Sequence, residues 1–372
     1  MKMNLPALVF FLSCGWYATQ AQGLEVYVSD AGNFTSFFQI LKFDENGENG
    51  VVFTNQELAW PQDIVVLERR NSIIVSNLNS GKITEYDVET GEYIGDFATG
   101  ISGPTRMKIG ADSLLYVLQW QGNGRVLRYD LEGNLVDTFT DTNVSNSIGL
   151  DWDATGNLYV SSFNGRYVQQ FNSNGESMGQ YINSNLSGPT NIWFDDEGAL
   201  FVADWSGGSV KKFDASGNYL GVFVSGIGQA EGVDFLPDGN LLIGDGQSSS
   251  VNRYDSEGNS IEEFVPSGTL GLRQPNAVII RTLGVSPVRE TLGQVAFIAP
   301  SAGVEFNLLN GNTAPGIEAF EIYDAQGRLQ ASMRYTGNTT LWDASSFAEG
   351  LYLIVARLKD GKAWSQKVVV KK

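Results

Sequence analysis

Residues 188–223 read GPTNIWFDDEGALFVADWSGGSVKKFDASGNYLGVF, and nearly the same outline recurs five more times along the 372-residue chain. Each unit has an apolar strand, a turn such as DDEG, a second strand ending near an Asp, and a third ending in an aromatic residue followed by Asp or Asn. A turn such as DASGN then leads into a fourth strand. The third-strand markers fall at Asp44, Asp87, Asp130, Asn172, Asp214 and Asp255, spaced by 43, 43, 42, 42 and 41 residues. First strands begin at Pro61, Pro104, Ser147, Pro189, Ala230 and Pro275, spaced by 43, 43, 42, 41 and 45. Six units of four short strands predict an all-β chain whose main domain, residues 23–281, is a six-bladed β-propeller. The ends of the array agree. LEVYVSD at 24–30 matches a second strand, and PNAVIIR at 275–281 supplies the missing first one. The N- and C-terminal strands are therefore expected to share a blade and close the ring.

Strand direction alternates within a blade, so the connections sort onto two faces. The Asp- and Gly-rich turns between strands one and two and between three and four share one face, where turn chemistry accounts for their composition. On the other face the units differ. Trp60, Asp63, Arg106, Asn191, Glu231 and Asn276 lie around the starts of first strands, while Trp120, Phe163 and Trp205 follow second strands where other units have Leu78 or Gly246. First-strand polar groups are expected near the axis, with aromatic rings around a polar mouth able to stack on sugars or grip a peptide. These nine residues form the candidate ligand-binding set.

The formal charge of -18 is carried by the repeats, because the residues from Thr282 onward hold 9 basic and 8 acidic side chains. That balance argues against nucleic acid and anionic membranes as partners. The chain has no histidine. A Ser-His-Asp triad, a histidine base and histidine-bound zinc are thereby excluded. At the N-terminus, Lys2, the apolar run Leu5 to Leu12 and the small-residue site Thr19-Gln20-Ala21 read as a secretory signal peptide over residues 1–21. Cys14, the only cysteine, falls inside it, so the mature chain is expected to have no disulfide. No segment is long and apolar enough to suggest a membrane span.

The units resemble NHL-type repeats and the wider six-bladed propellers of the gluconolactonase family. The likeness is carried by the stretch quoted above, by GVDFLPDGNLLIGD at 232–245 and by GLDWDATGNLYVSS at 149–162. It implies a domain that binds a protein or glycan ligand or, as the alternative, a calcium-dependent lactonase- or esterase-type hydrolase. In that alternative Asn191, Glu231 and Asn276 are the axial metal ligands, since oxygen donors suit calcium. Their spacing departs from that family's, whose opening Glu-Gly-Pro element is absent.

Beyond residue 281 both period and charge change. TLGVSPVRETLGQ at 282–294 reads as a linker, and the strand-like segments of 295–372 predict a small immunoglobulin-like β-sandwich. This tail resembles the C-terminal sorting domain of the type IX secretion system. The matching residues are Glu321-Ile322-Tyr323-Asp324 with Gly327-Arg328, Ser345-Ser346-Phe347 leading to Gly350-Leu351-Tyr352, and the basic end from Lys367 to Lys372. The resemblance implies the type IX secretion machinery as a partner, export across both membranes of a Gram-negative bacterium, and a secreted or cell-surface location.

Overall fold

The structure is a computed structural model that describes residues 23–283, 298–299, 302–308, 317–324, 329–334, 340–358 and 363–372. The proposed signal peptide with Cys14, most of the linker and Gly327-Arg328 lie outside the described residues. The chain divides into two units, Met1–Thr282 and Leu283–Lys372.

The first unit is a six-bladed β-propeller of four-stranded antiparallel sheets. In five blades the strands follow chain order from axis to rim. The first blade instead pairs Pro275–Thr282 with Leu24–Asp30, in register from Leu24 opposite Thr282 to Ser29 opposite Ala277. This pairing is the closure read from the ends of the array. Six apolar cores hold the ring together, each made by two neighbouring blades. The one built from Val26, Leu41, Phe43, Leu242, Val251 and Phe264 joins the sixth blade to the first.

The repeated residues are explained by contacts between blades. Ser29 Oγ donates to the Pro61 carbonyl (2.8 Å), Ser76 Oγ to that of Thr105 (2.6 Å) and Ser161 Oγ to that of Thr190 (2.6 Å). Each second-strand serine thus reaches the first strand of the next blade. The Asp closing a second strand caps the loop leading into its own blade: buried Asp204 accepts the N–H groups of Ser187 (3.0 Å) and Gly188 (2.6 Å). Third-strand aspartates nucleate Asx turns, as when Asp130 Oδ1 accepts from Glu132 N (3.0 Å) and Asn134 N (2.8 Å).

The glycine of each such turn has a positive φ and abuts the previous blade. A Cβ on Gly133 (φ 89°) would lie 2.1 Å from the carbonyl oxygen of Phe97, and one on Gly47 (φ 74°) 2.0 Å from that of Phe264. The partner is always the carbonyl of a fourth-strand aromatic: Phe264, Phe53, Phe97, Phe139, Tyr181 or Phe223. Only glycine combines that backbone conformation with so close an approach.

The second unit is a β-sandwich. Its five-stranded sheet runs Ala302–Gly303, Ala363–Val370, Gly350–Leu358, Ile317–Asp324, Leu329–Arg334, and its three-stranded sheet holds Ile298–Ala299, Glu305–Leu308 and Thr340–Asp343. Alternating residues of both sheets meet in one core, where Phe306 stacks on Trp342 with ring centres 5.1 Å apart among Phe320, Ile322, Ile354 and Val368. Among the described residues no helix is long and apolar enough to cross a membrane.

Candidate functional site

Every first strand departs from regular pairing near its start. Register shifts fall between Pro61 and Asp63, Pro104 and Met107, Ser147 and Gly149, Pro189 and Ile192, and Ala230 and Val233, and opposite Ser29/Asp30 in the first blade. A bulge re-aims side chains and frees backbone groups from the ladder. Gln62, Arg106, Asn191, Glu231 and Asn276 all lie within these bulges, which is why polar groups gather at the axis here. Gly149 and Gly232 occupy, in blades four and six, the place that Arg106 and Asn191 hold in blades three and five. A Cβ there would come within 2.1 Å of the Thr190 carbonyl oxygen and 2.6 Å of the Val278 nitrogen, so these two positions admit no side chain.

Four candidate residues converge with one that the sequence did not single out. Arg106 places Nη1 2.9 Å from Asp63 Oδ1, and Nη2 3.6 Å from Glu231 Oε1 and 3.3 Å from the carbonyl of Asn276. The other Asp63 oxygen accepts from Met107 N at 2.7 Å. Gln62 completes the knot. With its amide oxygen toward the donors, it accepts from Trp60 Nε1 and Asn276 Nδ2, each at 2.6 Å, while its nitrogen donates to Glu231 Oε1 at 3.0 Å. All five axial residues are buried, with Arg106 the most exposed at 7%.

Burial pushes both carboxyls up, Glu231 to about 8, with the Arg106 guanidinium pulling against it and the charge of Asp63 adding to it. Asp63 is likewise raised by burial, against the pull of Arg106 and the Met107 N–H. One guanidinium balances one carboxylate. Asp63 holds the closer contact and the backbone N–H, so Glu231 is the group that keeps a proton at neutral pH.

These residues do not fit a calcium ion. The carboxylates that would bind it already face a cation, the Arg106 guanidinium, and one of them is held neutral. Asn191, the third suggested ligand, bonds among the described residues only to the backbone N–H of Ile192 (3.0 Å), and to neither Glu231 nor Asn276. Among the described residues no group of three or more Asp, Glu, His or Cys could hold a metal ion.

The aromatic candidates form a separate arrangement on the face where the loops lead into first strands. Trp120, Phe163 and Trp205 are half-buried and touch in series across three neighbouring blades, with ring centres 5.7 and 5.8 Å apart. Amides flank them: Asn164 Nδ2 donates to Asn146 Oδ1 (3.0 Å), and Asn146 Nδ2 to the Trp120 carbonyl (3.2 Å). Trp60 stands apart from this arc. Its ring packs on Phe34 at 5.0 Å, its φ of 58° is rare for a bulky residue, and its indole N–H ties it to the axial knot.

The loops of this face, those after second strands and those leading into first strands, carry two acidic residues (Glu57, Asp141) and three basic ones (Arg125, Arg166, Arg273). The turns of the opposite face carry seventeen acidic residues against two basic ones, Arg69 and Arg70. The acidity of the propeller's connections is therefore one-sided.

Below the knot the channel widens into a cavity of about 380 Å³ lined by the later residues of the first strands, among them Arg106, Lys108, Leu150, Asn191, Val233, Asp234 and Val278. Exposure rises along these strands from buried Asp63 and Arg106 to exposed Lys108, Ile109 and Phe235, so the cavity opens on the acidic face. Sequence reasoning passed over Asp234, Lys108 and Asp151. The signal was available: the fifth residues of the first strands are Val65, Lys108, Asp151, Trp193, Asp234 and Ile279, charged in three blades and apolar in the others.

No family model and no curated protein matches this chain. Solved structures do. A chain of a nidogen/laminin complex aligns with a TM-score of 0.56 at 16% identity, covering 69% of this chain and 98% of that one. A protein of unknown function from Bacteroides caccae aligns equally, at 0.56 and 14% identity over the same shares. A gluconolactonase from Xanthomonas campestris aligns at 0.50 and 16% identity, covering 60% of this chain and 81% of that one. At these identities the likeness establishes the propeller fold, and activity has to be argued from the site.

Proposed function

We propose that the chain is a secreted or surface-displayed propeller that binds a glycan through the arc of Trp120, Phe163 and Trp205. The observation that carries this reading is the contiguous row of half-exposed rings across three blades, accompanied by Asn146, Asn164, Arg125 and Arg166 on the face whose loops carry few acidic residues. Aromatic faces stack on sugar rings, and amide and guanidinium groups serve sugar hydroxyls without demanding a charged ligand. The solved neighbour from a nidogen/laminin complex lends support to binding as a use of such a propeller. Export through the type IX secretion system is part of the proposal. It rests on the signal peptide and on the C-terminal sandwich with its Glu321–Asp324 and Gly350–Tyr352 segments.

The test is a glycan array probed with the full-length chain and with a Trp120→Ala/Phe163→Ala/Trp205→Ala variant whose melting temperature is checked. Selective glycan binding that the variant loses supports the reading. Binding that survives the variant, or capture of a protein partner with no glycan bound, overturns it. Deleting residues 295–372 should leave the propeller inside the outer membrane. Normal appearance in the medium after that deletion would remove the export proposal alone.

A further inference from the structure

The axial cavity is a second candidate site, on the face opposite the aromatic arc and closed off from it by the knot of Gln62, Arg106, Glu231 and Asn276. Three of its polar groups have capacity left over. Arg106 uses its terminal nitrogens within the knot, but its Nε, in a side chain only 8% exposed, has no partner among the described residues. Asn191 commits its oxygen to Ile192 N, and among the described residues its amide nitrogen makes no hydrogen bond. Nearer the mouth, Asp234 accepts from Ile280 N (2.6 Å) and Phe235 N (2.8 Å) and has no ion-pair partner among the described residues. The neighbouring cation, Lys108, is already paired with Asp151 at 2.5 Å.

The inner end thus offers two hydrogen-bond donors, the outer end a carboxylate, and Leu150, Val233 and Val278 stand in the wall between them. Asn191 and Asp234 sit two places apart in their aligned strands, about 7 Å along the axis at the rise of a β-strand. The turns between first and second strands, nearest the mouth, hold seven of the acidic residues and the outer turns of the same face ten more, a field that concentrates cations and repels anions.

We infer that this cavity binds a small organic cation: a primary amine held by Asp234, with a short apolar body and a hydroxyl or carbonyl oxygen accepting from Arg106 Nε and Asn191 Nδ2. The site requires nothing of the aromatic arc, and either one can fail without the other.

Tyramine has this pattern of groups and fits the volume. Calorimetric titration of tyramine into the full-length chain should give saturable binding, weakened about tenfold or more by Asp234→Asn and clearly weakened by Asn191→Ala. 4-Hydroxyphenylacetate, which replaces the amine with a carboxylate, should not bind. Trp120→Ala should leave tyramine binding unchanged. The inference is overturned if tyramine gives no saturable binding at millimolar concentration, if the anionic analogue binds equally well, or if Asp234→Asn has no effect. Loss of binding in the Trp120→Ala variant would place the amine on the other face and overturn it as well. Melting temperatures guard against misfolding, and Asn191→Ala, a deletion within the cavity, keeps the test alive if Asp234→Asn proves unstable.

Discussion

The two faces of the propeller are built from the same strands by different rules. On the turn face, each blade repeats an Asx turn whose glycine meets the carbonyl of the previous blade's aromatic residue, six times without exception. On the other face, the loops range from WSGG at 205–208 to PSGTLGLRQ at 266–274, and aromatic side chains appear in some blades only. Repetition marks where the ring is held together. Departure from it marks where the molecule is free to acquire a ligand. The charge follows the same division, since Asp and Glu suit turns and accumulate wherever turns are copied.

The largest expected effect comes from breaking the repeated face. Gly133→Ala places a Cβ at φ 89° and 2.1 Å from the Phe97 oxygen, and should cost about 3 kcal/mol of stability. Gly156→Ala is the matched control, because its φ of 83° is similar and nothing lies within 4 Å of the new Cβ. It should cost only about 1 kcal/mol. Denaturant melts of the two variants separate backbone strain from contact between blades. Equal losses would mean that the inter-blade contact contributes nothing.

The same contact shows what was legible in the sequence. The Pro, Asp and Gly periods gave blade number and ring closure, because those residues answer to local turn chemistry. The aromatic period at Phe53, Phe97, Phe139, Tyr181, Phe223 and Phe264 was equally visible, but its role depends on a carbonyl in the neighbouring blade, which no local pattern encodes. At the axis, the convergence of Asp63, Arg106, Glu231 and Asn276 followed from their place at the starts of first strands. Gln62 was legible on the same ground, since it shares its column with Glu231 and Asn276, but was passed over because the other three places hold Thr105, Ile148 and Thr190. The split between knot and cavity was hidden for a different reason: spacing gives the blade, but the depth of a side chain along the axis depends on the bulge.

Acid and alkali should act on opposite parts of this structure. Glu231 has a folded pKa of about 8 against an unfolded value near 4.5, so its contribution is fully present below pH 4.5 and is lost as pH rises toward 8. On the turn face, Asn134, Asn218 and Asn259 together with backbone N–H groups hold Asp130, Asp214 and Asp255 below their usual 3.8. Their contribution is present above 3.8 and lost as pH falls through the lowered values. Melting temperature should therefore decline on both sides. Glu231→Gln should flatten the alkaline limb between pH 5 and 8 and leave the acid limb in place. A Glu231→Gln profile that runs parallel to the wild type would show that another group carries the alkaline loss.

The smallest expected effect probes where the two rules meet. Ser76 belongs to the repeated framework, yet the carbonyl it serves, that of Thr105, lies in the bulge beside Arg106. A bulged carbonyl has left the strand ladder, so its buried oxygen relies on the 2.6 Å bond from Ser76 Oγ. Ser76→Ala removes that donor and should cost about 1 kcal/mol. If the serine also fixes the aim of the bulge, Arg106 will sit less firmly between Asp63 and Glu231. The alkaline limb of the stability profile should then shift as well. A stability loss with an unchanged limb would make Ser76 a clamp between blades and nothing more, and the bulge would hold the axial knot by its own geometry.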